Sequence, residues 1–176
     1  MLIHNLFDEI LIEPAKAGGD RLVILSGYAA PSMVFQHLQT IADDVGRQVP
    51  VDLIVGMTAA EGIARLQHQQ FQDLQRARSG GLFQCWYLAT RPPAHIKCFL
   101  WLRDGRPFRA FTGSGNYTHN GFFYNREAFC DDDPQGVYQE LTLIKRDAIS
   151  CLHPSVRFVI NISDNLVPPR CFMWVS

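Results

Sequence analysis

The 176-residue chain has no apolar run approaching the roughly 18 residues of a membrane-spanning helix. Its first residues, Met1-Leu2-Ile3-His4-Asn5, carry no basic segment followed by an apolar stretch, so a secretory leader is not expected. Cysteine is sparse. Cys85, Cys98, Cys130, Cys151 and Cys171 are odd in number and widely spaced, and no Cys-x-x-Cys occurs. That pattern argues against a disulfide framework and for reduced thiols in a cytoplasmic protein. Cys85, His95, Cys98, Cys130, Cys151 and His153 can be assembled into a zinc set, but His-x-x-Cys plus Cys-x-His is a weak pattern and no metal is expected. Charged residues make up only 19% of the chain against 47% hydrophobic ones, which excludes a disordered chain and leaves material for a real core. Internal repeats and linker-like stretches are also missing. One domain spanning residues 1–176 is the simplest reading.

The net charge of −1 hides an uneven distribution. Arg91, Lys97, Arg103, Arg106, Arg109 and Arg126 share their segment with one acid, Asp104. A positive zone on a faintly acidic chain suits a local anionic ligand. A solvated hairpin with arginines facing water explains it equally well.

Residues 22–28 and 51–57 read as buried strands. Pro31 can open a helix running to about Asp44, because proline is favoured in a first turn. Residues 60–78 have helical composition, with Ile63, Leu66, Phe71 and Leu74 on a plausible inner face, and Ser79-Gly80-Gly81 ends that helix. Residues 82–89 form a third strand. This β-α-β-α-β order predicts an α/β fold with a mixed, largely parallel sheet flanked by helices. Further on, residues 95–103 and 106–113 are two strands joined by Asp104-Gly105, a strong hairpin signal. A strand near 127–130, a helix over 134–149 and a last strand at Phe158–Ile162 complete the reading.

A two-residue loop at 104–105 sets a register in which residue 103 faces 106. His95 then faces Ser114, and Lys97 faces Thr112. Asn116 lies diagonal to His95 on the same side, because side chains alternate with period two. Ile96, Cys98, Leu100 and Leu102 fall on the opposite, core-like face. A bulge would break this register. Tyr28 follows a buried strand and reads as a loop residue or as one facing a ligand crevice. Phe122, Phe123 and Tyr124 read as core or dimer contacts rather than as base-stacking rings.

Histidine, lysine, serine and asparagine on one face make a constellation suited to phosphate. Imidazole can attack phosphorus or protonate a leaving oxygen. The ammonium is a point charge for phosphate, while amide and hydroxyl donate to oxygens as charge builds on them. Gly113 and Gly115 let backbone approach closely. The candidate catalytic residues are therefore His95, Lys97 and Asn116, with Ser114, Thr112, Gly113 and Gly115 as candidate phosphate ligands.

At these residues the chain resembles the phospholipase D superfamily, whose motif is His-x-Lys, Asp, Gly-Ser-x-Asn and a Glu about eleven residues beyond the Asn. Here the matches are His95-Ile96-Lys97, Gly113-Ser114-Gly115-Asn116 and Glu127. The motif Asp would fall at Leu102 and is absent; Asp104 is close but occupies the turn. The longer His-to-Asn interval is similar to that of the metal-independent restriction endonucleases of the NgoFVII type. So are Asn5-Leu6-Phe7 with Glu9-Ile10, and Ser26-Gly27-Tyr28-Ala29-Ala30-Pro31. The resemblance covers most of residues 1–150.

The resemblance implies cleavage of DNA through a phosphohistidine, with no metal or cofactor. Glu127 would be a fourth catalytic residue, fixing the imidazole tautomer. One histidine attacks and a second protonates the leaving oxygen. The chain has a single His-x-Lys, and His119 lacks a partner lysine, so a homodimer with a composite site is the expected active unit. Enzymes of this branch carry a separate DNA-recognition domain, which would be another segment or subunit here. A catalytically silent phosphate-binding module and a phosphodiesterase acting on lipid headgroups remain as alternatives.

Overall fold

In the computed structural model, which describes residues 1–78 and 80–166, the chain is built on one seven-stranded sheet. A wide helical turn, Asp8–Ile12, leads into a short helix, α1 (Glu13–Lys16). There follow β1 (Arg21–Ser26), α2 (Pro31–Val45), β2 (Val51–Val55), α3 (Thr58–Glu61), β3 (Ile63–Ala64), α4 (Arg65–Ala77) and β4 (Phe83–Leu88). The second half holds β5 (Lys97–Arg103), β6 (Arg106–Gly113), a second wide turn (Asn120–Tyr124), β7 (Phe129–Asp132), α5 (Pro134–Arg146), β8 (Ala148–Ser150), α6 (Val156–Val159) and β9 (Ile162–Ser163).

The strand order is β7-β6-β5-β1-β2-β4-β8. Parallel pairing is confined to the centre, β1 with β2 and β2 with β4, and every outer pair is antiparallel. The sheet is therefore mixed, with the parallel strands in the fully covered middle, where both faces are buried. All five residues of β2 are buried.

Each helix is where local chemistry puts it. Pro31 occupies the first turn of α2, and Met33, Val34, His37, Leu38 and Ile41 recur on its buried side. Asp133 caps α5 by accepting from the backbone of Gln135 and Gly136, just before Pro134. The N-terminal segment, α2 and α4 cover one face, meeting Ile24, Leu53, Phe99, Trp101 and Phe111 in the main core. On the other face α5 covers Leu25, Ile54, Cys98, Leu100 and Leu102.

Three expectations change. The last strand expected at Phe158–Ile162 is not one: Val156–Val159 is helical, and a two-residue strand, Ile162–Ser163, pairs with β3. The helix over 134–149 stops at Arg146, because Ala148–Ser150 pairs with β4 as an edge strand. The helix of residues 60–78 is preceded by a separate short helix and strand. Ser79 and the tail from Val167 lie outside the described residues.

The hairpin forms at Asp104-Gly105, where both residues adopt positive φ (52° and 71°), as a two-residue loop of this kind requires. Its register changes part-way. Arg103 faces Arg106 and Leu102 faces Pro107 as expected, but Trp101 faces Arg109. Phe108 is the extra residue of a bulge, and the Arg103 guanidinium lies 4.0 Å from its ring centre. Beyond it every pairing slips by one, so Lys97 faces Gly113 and Cys98 faces Thr112. A one-residue slip exchanges the faces. Thr112 accordingly points away from Lys97 and bonds Asp132 at 2.9 Å. Cys98, Leu100 and Leu102 do face α5, while Ile96 is exposed.

Candidate active site

The site lies where β1 ends and β5 begins. Lys97 is the first residue of β5 and is almost wholly buried (4% exposed). Its ammonium donates to the carbonyl of His95 at 2.8 Å and stands 3.1 and 3.3 Å from the imidazole Nδ1 and Nε2. The group that would attack phosphorus and the cation that would hold its oxygens are thus in direct contact, within hydrogen-bond distance of each other. Burial lowers the Lys97 pKa, and the nearby Glu127 carboxylate opposes that shift.

Asn116 enters from the segment after β6. Its Oδ1 accepts from the backbone N–H of Tyr28 at 3.1 Å. This holds the oxygen inward and leaves the NH2 as the donating end. Imidazole and amide meet at Gly27: a Cβ there would lie 3.1 Å from His95 Cδ2 and 3.3 Å from Asn116 Oδ1. Ser26 secures the junction, donating to the Tyr28 carbonyl at 2.6 Å and accepting from the Tyr117 N–H at 2.9 Å.

Ser114 donates to Glu127 Oε2 and accepts from the Ala128 N–H at 3.2 Å. The other carboxylate oxygen, Oε1, accepts from Asn125 Nδ2 at 3.1 Å. Glu127 therefore binds Ser114 and Asn125 rather than the imidazole of its own chain. Gly113 and Gly115 have a packing reason: Cβ atoms there would stand 2.3 Å from the Ala128 carbonyl oxygen and 2.8 Å from that of Gly121. The structure brings His95, Lys97, Asn116, Ser114 and Glu127 into one region, with Gly113 across from Lys97, and leaves Thr112 on the other face.

Tyr28 and Glu61 also shape the site. Tyr28 sets its ring edge-on to His95, with centroids 5.9 Å apart. Its hydroxyl donates to Glu61 Oε2 at 2.6 Å, and burial, then this bond, pushes the phenol up to about 12. The pairing of Tyr28 with Glu61 joins residues 33 apart, which no local spacing signals. The remaining histidines do other work. His37 is buried between the Tyr117 hydroxyl (2.6 Å) and the Leu11 carbonyl (3.3 Å), and burial brings its pKa down to about 4. His119 bonds Gln36 at 2.8 Å and stacks on Phe123. The basic segment also divides: Arg103 and Arg106 sit at the hairpin turn, roughly 20 Å of strand from Lys97, and Arg109 pairs with Asp131 at 3.0 Å. Among the described residues, no three His, Cys, Asp or Glu side chains cluster as a metal site, and no helix is long and apolar enough to cross a membrane.

Residues 4–157 match the family described as the NgoFVII restriction endonuclease N-terminal PLD domain. The chain belongs to that family.

Solved structures agree on the fold. Nuc of Salmonella typhimurium, a phospholipase D family member, superposes with a TM-score of 0.56 at 12% identity, covering 82% of this chain and 88% of that one. NucT of Helicobacter pylori gives 0.52 at 13% identity, covering 85% and 96%. A polyphosphate kinase of Porphyromonas gingivalis gives 0.50 at 16% identity, over 94% of this chain but 24% of that one. No functionally curated protein matches the chain. Membership of the NgoFVII PLD family thus rests on the family match, and the neighbours show that the phospholipase D fold is retained.

Proposed function

We propose that this chain is the catalytic domain of a restriction-type endonuclease that hydrolyses DNA phosphodiesters without a metal, through a phosphohistidine on His95. The observation that carries this reading is the buried Lys97 ammonium lying 3.1 Å from the His95 ring, with the Asn116 amide across Gly27.

In the first step the His95 nitrogen attacks phosphorus and the bond to the leaving oxygen breaks. An imidazole from a second copy gives that oxygen its proton. In the second step water attacks the phosphohistidine, the phosphorus–nitrogen bond breaks, and the second imidazole takes the water's proton. Negative charge grows on the non-bridging oxygens in both steps. Lys97 and the Asn116 NH2 are donors held in place by their own contacts, so they need little reorganisation as that charge develops. Glu127 holds Ser114 and partly offsets the desolvation that lowers the Lys97 pKa. The chain has one His-x-Lys and the scheme uses two imidazoles, which supports a homodimer with one composite centre. Base recognition belongs to a separate domain or subunit. The motif Asp is replaced by Leu102, which packs under α5, so its role passes to other groups.

The test is plasmid cleavage in EDTA by the intact chain and by His95→Ala. Cleavage that persists in EDTA and is lost in the variant supports the proposal. Binding without cleavage makes the chain a silent module, and hydrolysis of a lipid headgroup ester alone points to the lipid reading.

A further inference from the structure

We propose that Tyr28 is a positioning residue for the reaction: its ring and its backbone N–H hold the His95 imidazole and the Asn116 amide in one mutual arrangement, and the Glu61 carboxylate fixes Tyr28 in turn. The proposal deepens the phosphodiesterase reading and rests on it for the role of His95.

The imidazole needs an outside constraint. His95 is exposed and lies two residues before β5 begins. The torsion that spins a histidine ring is broad and two-fold, so rotamer preference does not fix its plane. A carboxylate commonly does so, yet among the described residues none bonds this ring, since Glu127 is bound to Ser114 and Asn125. The Lys97 ammonium does not fix the plane either. It stands 3.1 Å from Nδ1 and 3.3 Å from Nε2, so it scarcely distinguishes the two nitrogens. What remains is packing. Gly27 backs the ring at Cδ2, and Tyr28 meets it with centroids 5.9 Å apart and planes at 78°. Ring contacts of this kind are selective in geometry.

Tyr28 also governs the second arm of the site. Its N–H donates to Asn116 Oδ1 at 3.1 Å, which leaves the NH2 to donate. One residue therefore sets both the plane of the nucleophile and the direction of the amide. Such a residue must itself be held, and Tyr28 is held at the tip of its side chain, where the phenol donates to Glu61 Oε2 at 2.6 Å. Glu61 closes α3, a helix fastened to two strand ends. The buried Thr58 hydroxyl of α3 lies 3.1 Å from the Val55 carbonyl and 2.9 Å from the Leu88 carbonyl. Just before α3, the Met57 N–H donates to the Gly27 carbonyl at 3.1 Å, which closes the circuit beside Tyr28. The phenol proton is committed to Glu61, and its pKa is pushed up to about 12, so Tyr28 is not the proton donor of the cleavage step. Its contribution is geometry, and geometry counts most in the transition state.

The test is steady-state plasmid cleavage in EDTA by the full chain and by Tyr28→Ala, Tyr28→Phe, Glu61→Ala, Glu61→Gln and the double variant Tyr28→Ala/Glu61→Ala. Tyr28→Ala is expected to lower kcat on the order of 10²-fold and to leave KM within a few-fold. Tyr28→Phe and Glu61→Ala keep the ring but free its tip, and each lowers kcat on the order of tenfold. Glu61→Gln keeps an acceptor oxygen and restores most of that loss. In the Tyr28→Ala background Glu61→Ala has no further effect, because Glu61 acts through Tyr28. The alkaline limb of the pH–rate profile is the same in Tyr28→Phe as in the parent. In NMR spectra of the histidine-labelled protein, the His95 ring signals move in Tyr28→Ala and Glu61→Ala, while those of the buried His37 stay in place. A raised KM with unchanged kcat, multiplying losses in the double variant, or His95 signals unmoved in Tyr28→Ala would each overturn the assignment. So would loss of the alkaline limb in Tyr28→Phe, which would make the phenol a proton donor. Should Tyr28→Ala fail to fold, Tyr28→Phe and the comparison of Glu61→Ala with Glu61→Gln decide the matter. A parent chain that cleaves nothing would instead count against the phosphodiesterase reading, while the NMR series still reports whether Tyr28 sets the imidazole.

Discussion

Gly56→Ala places a single methyl group against the loop that delivers the imidazole. Gly56 follows β2, and its carbonyl accepts from the Ala94 N–H at 3.1 Å, one residue before His95. A Cβ on Gly56 would stand 2.1 Å from the Ala94 carbonyl oxygen and 3.0 Å from its carbon. These are backbone atoms, so no side chain can swing aside. The carbonyl must retreat by about 1 Å to reach even a tight contact. His95 is bonded to the next peptide and travels with it, while Lys97 is fixed in β5 and Asn116 by Tyr28. Displacements of about 1 Å in a catalytic constellation cost on the order of 10²-fold in rate. Inserting one methyl group into packed structure costs about 1–3 kcal/mol, which for a chain of this length lowers Tm by roughly 2–12 °C. Gly56→Ala is therefore expected to remain folded at 25 °C, to lose cleavage on the order of a hundredfold and to retain binding to DNA within a few-fold. Cleavage kinetics, anisotropy and calorimetry on the same preparation check this. Wild-type cleavage with an unchanged Tm would refute the claim that Gly56 sets the position of His95.

Lys97→Arg is expected to lose kcat on the order of 10²-fold rather than rescue the charge, because a planar fork does not fit where a buried ammonium sits beside an imidazole; single-turnover cleavage reads it. Burial lowers the Lys97 pKa, so activity is lost as pH rises through a value below the ordinary 10.5. Glu127→Gln removes the opposing charge and moves that alkaline limb to lower pH, which a pH–rate profile of both proteins measures. His37 is neutral in the fold, with its pKa down to about 4, whereas the unfolded chain protonates it near 6.5. Its contribution is fully present above pH 6.5 and is lost as pH falls toward 4, about 3 kcal/mol in all; the fall in Tm over that interval is expected to shrink in His37→Gln.

How far these features were legible in the sequence depended on how local their causes were. Asp104-Gly105 announces its turn because both positions need positive φ, and the loop came out as expected. The bulge at Phe108 did not announce itself: Pro107 fits either register, and what fixes the slip is how Trp101 and Phe111 pack in the core. That slip carried Thr112 out of the site while leaving His95 and Lys97, which precede β6 in the chain, where they were expected. Phe158–Ile162 is apolar enough for a strand, yet Phe158 and Val159 are exposed and the segment turns as a helix. Gly56 and Glu61 shape the site only through the β5-β1-β2 order, so a linear pattern has no means of marking them, whereas Gly27 and Tyr28 lie in the stretch from Ser26 to Pro31 that the family resemblance already singles out.

The most direct test of the central claim is covalent trapping. A labelled oligonucleotide is mixed with the protein in EDTA, quenched within one turnover and digested, and the adduct is located by mass spectrometry. The account predicts a phosphoryl–nucleotide adduct on His95, absent in His95→Ala and released by water on standing. Cleavage by His95→Ala at the parent rate, or cleavage that proceeds only with added divalent metal and leaves His95 unmodified, would contradict it.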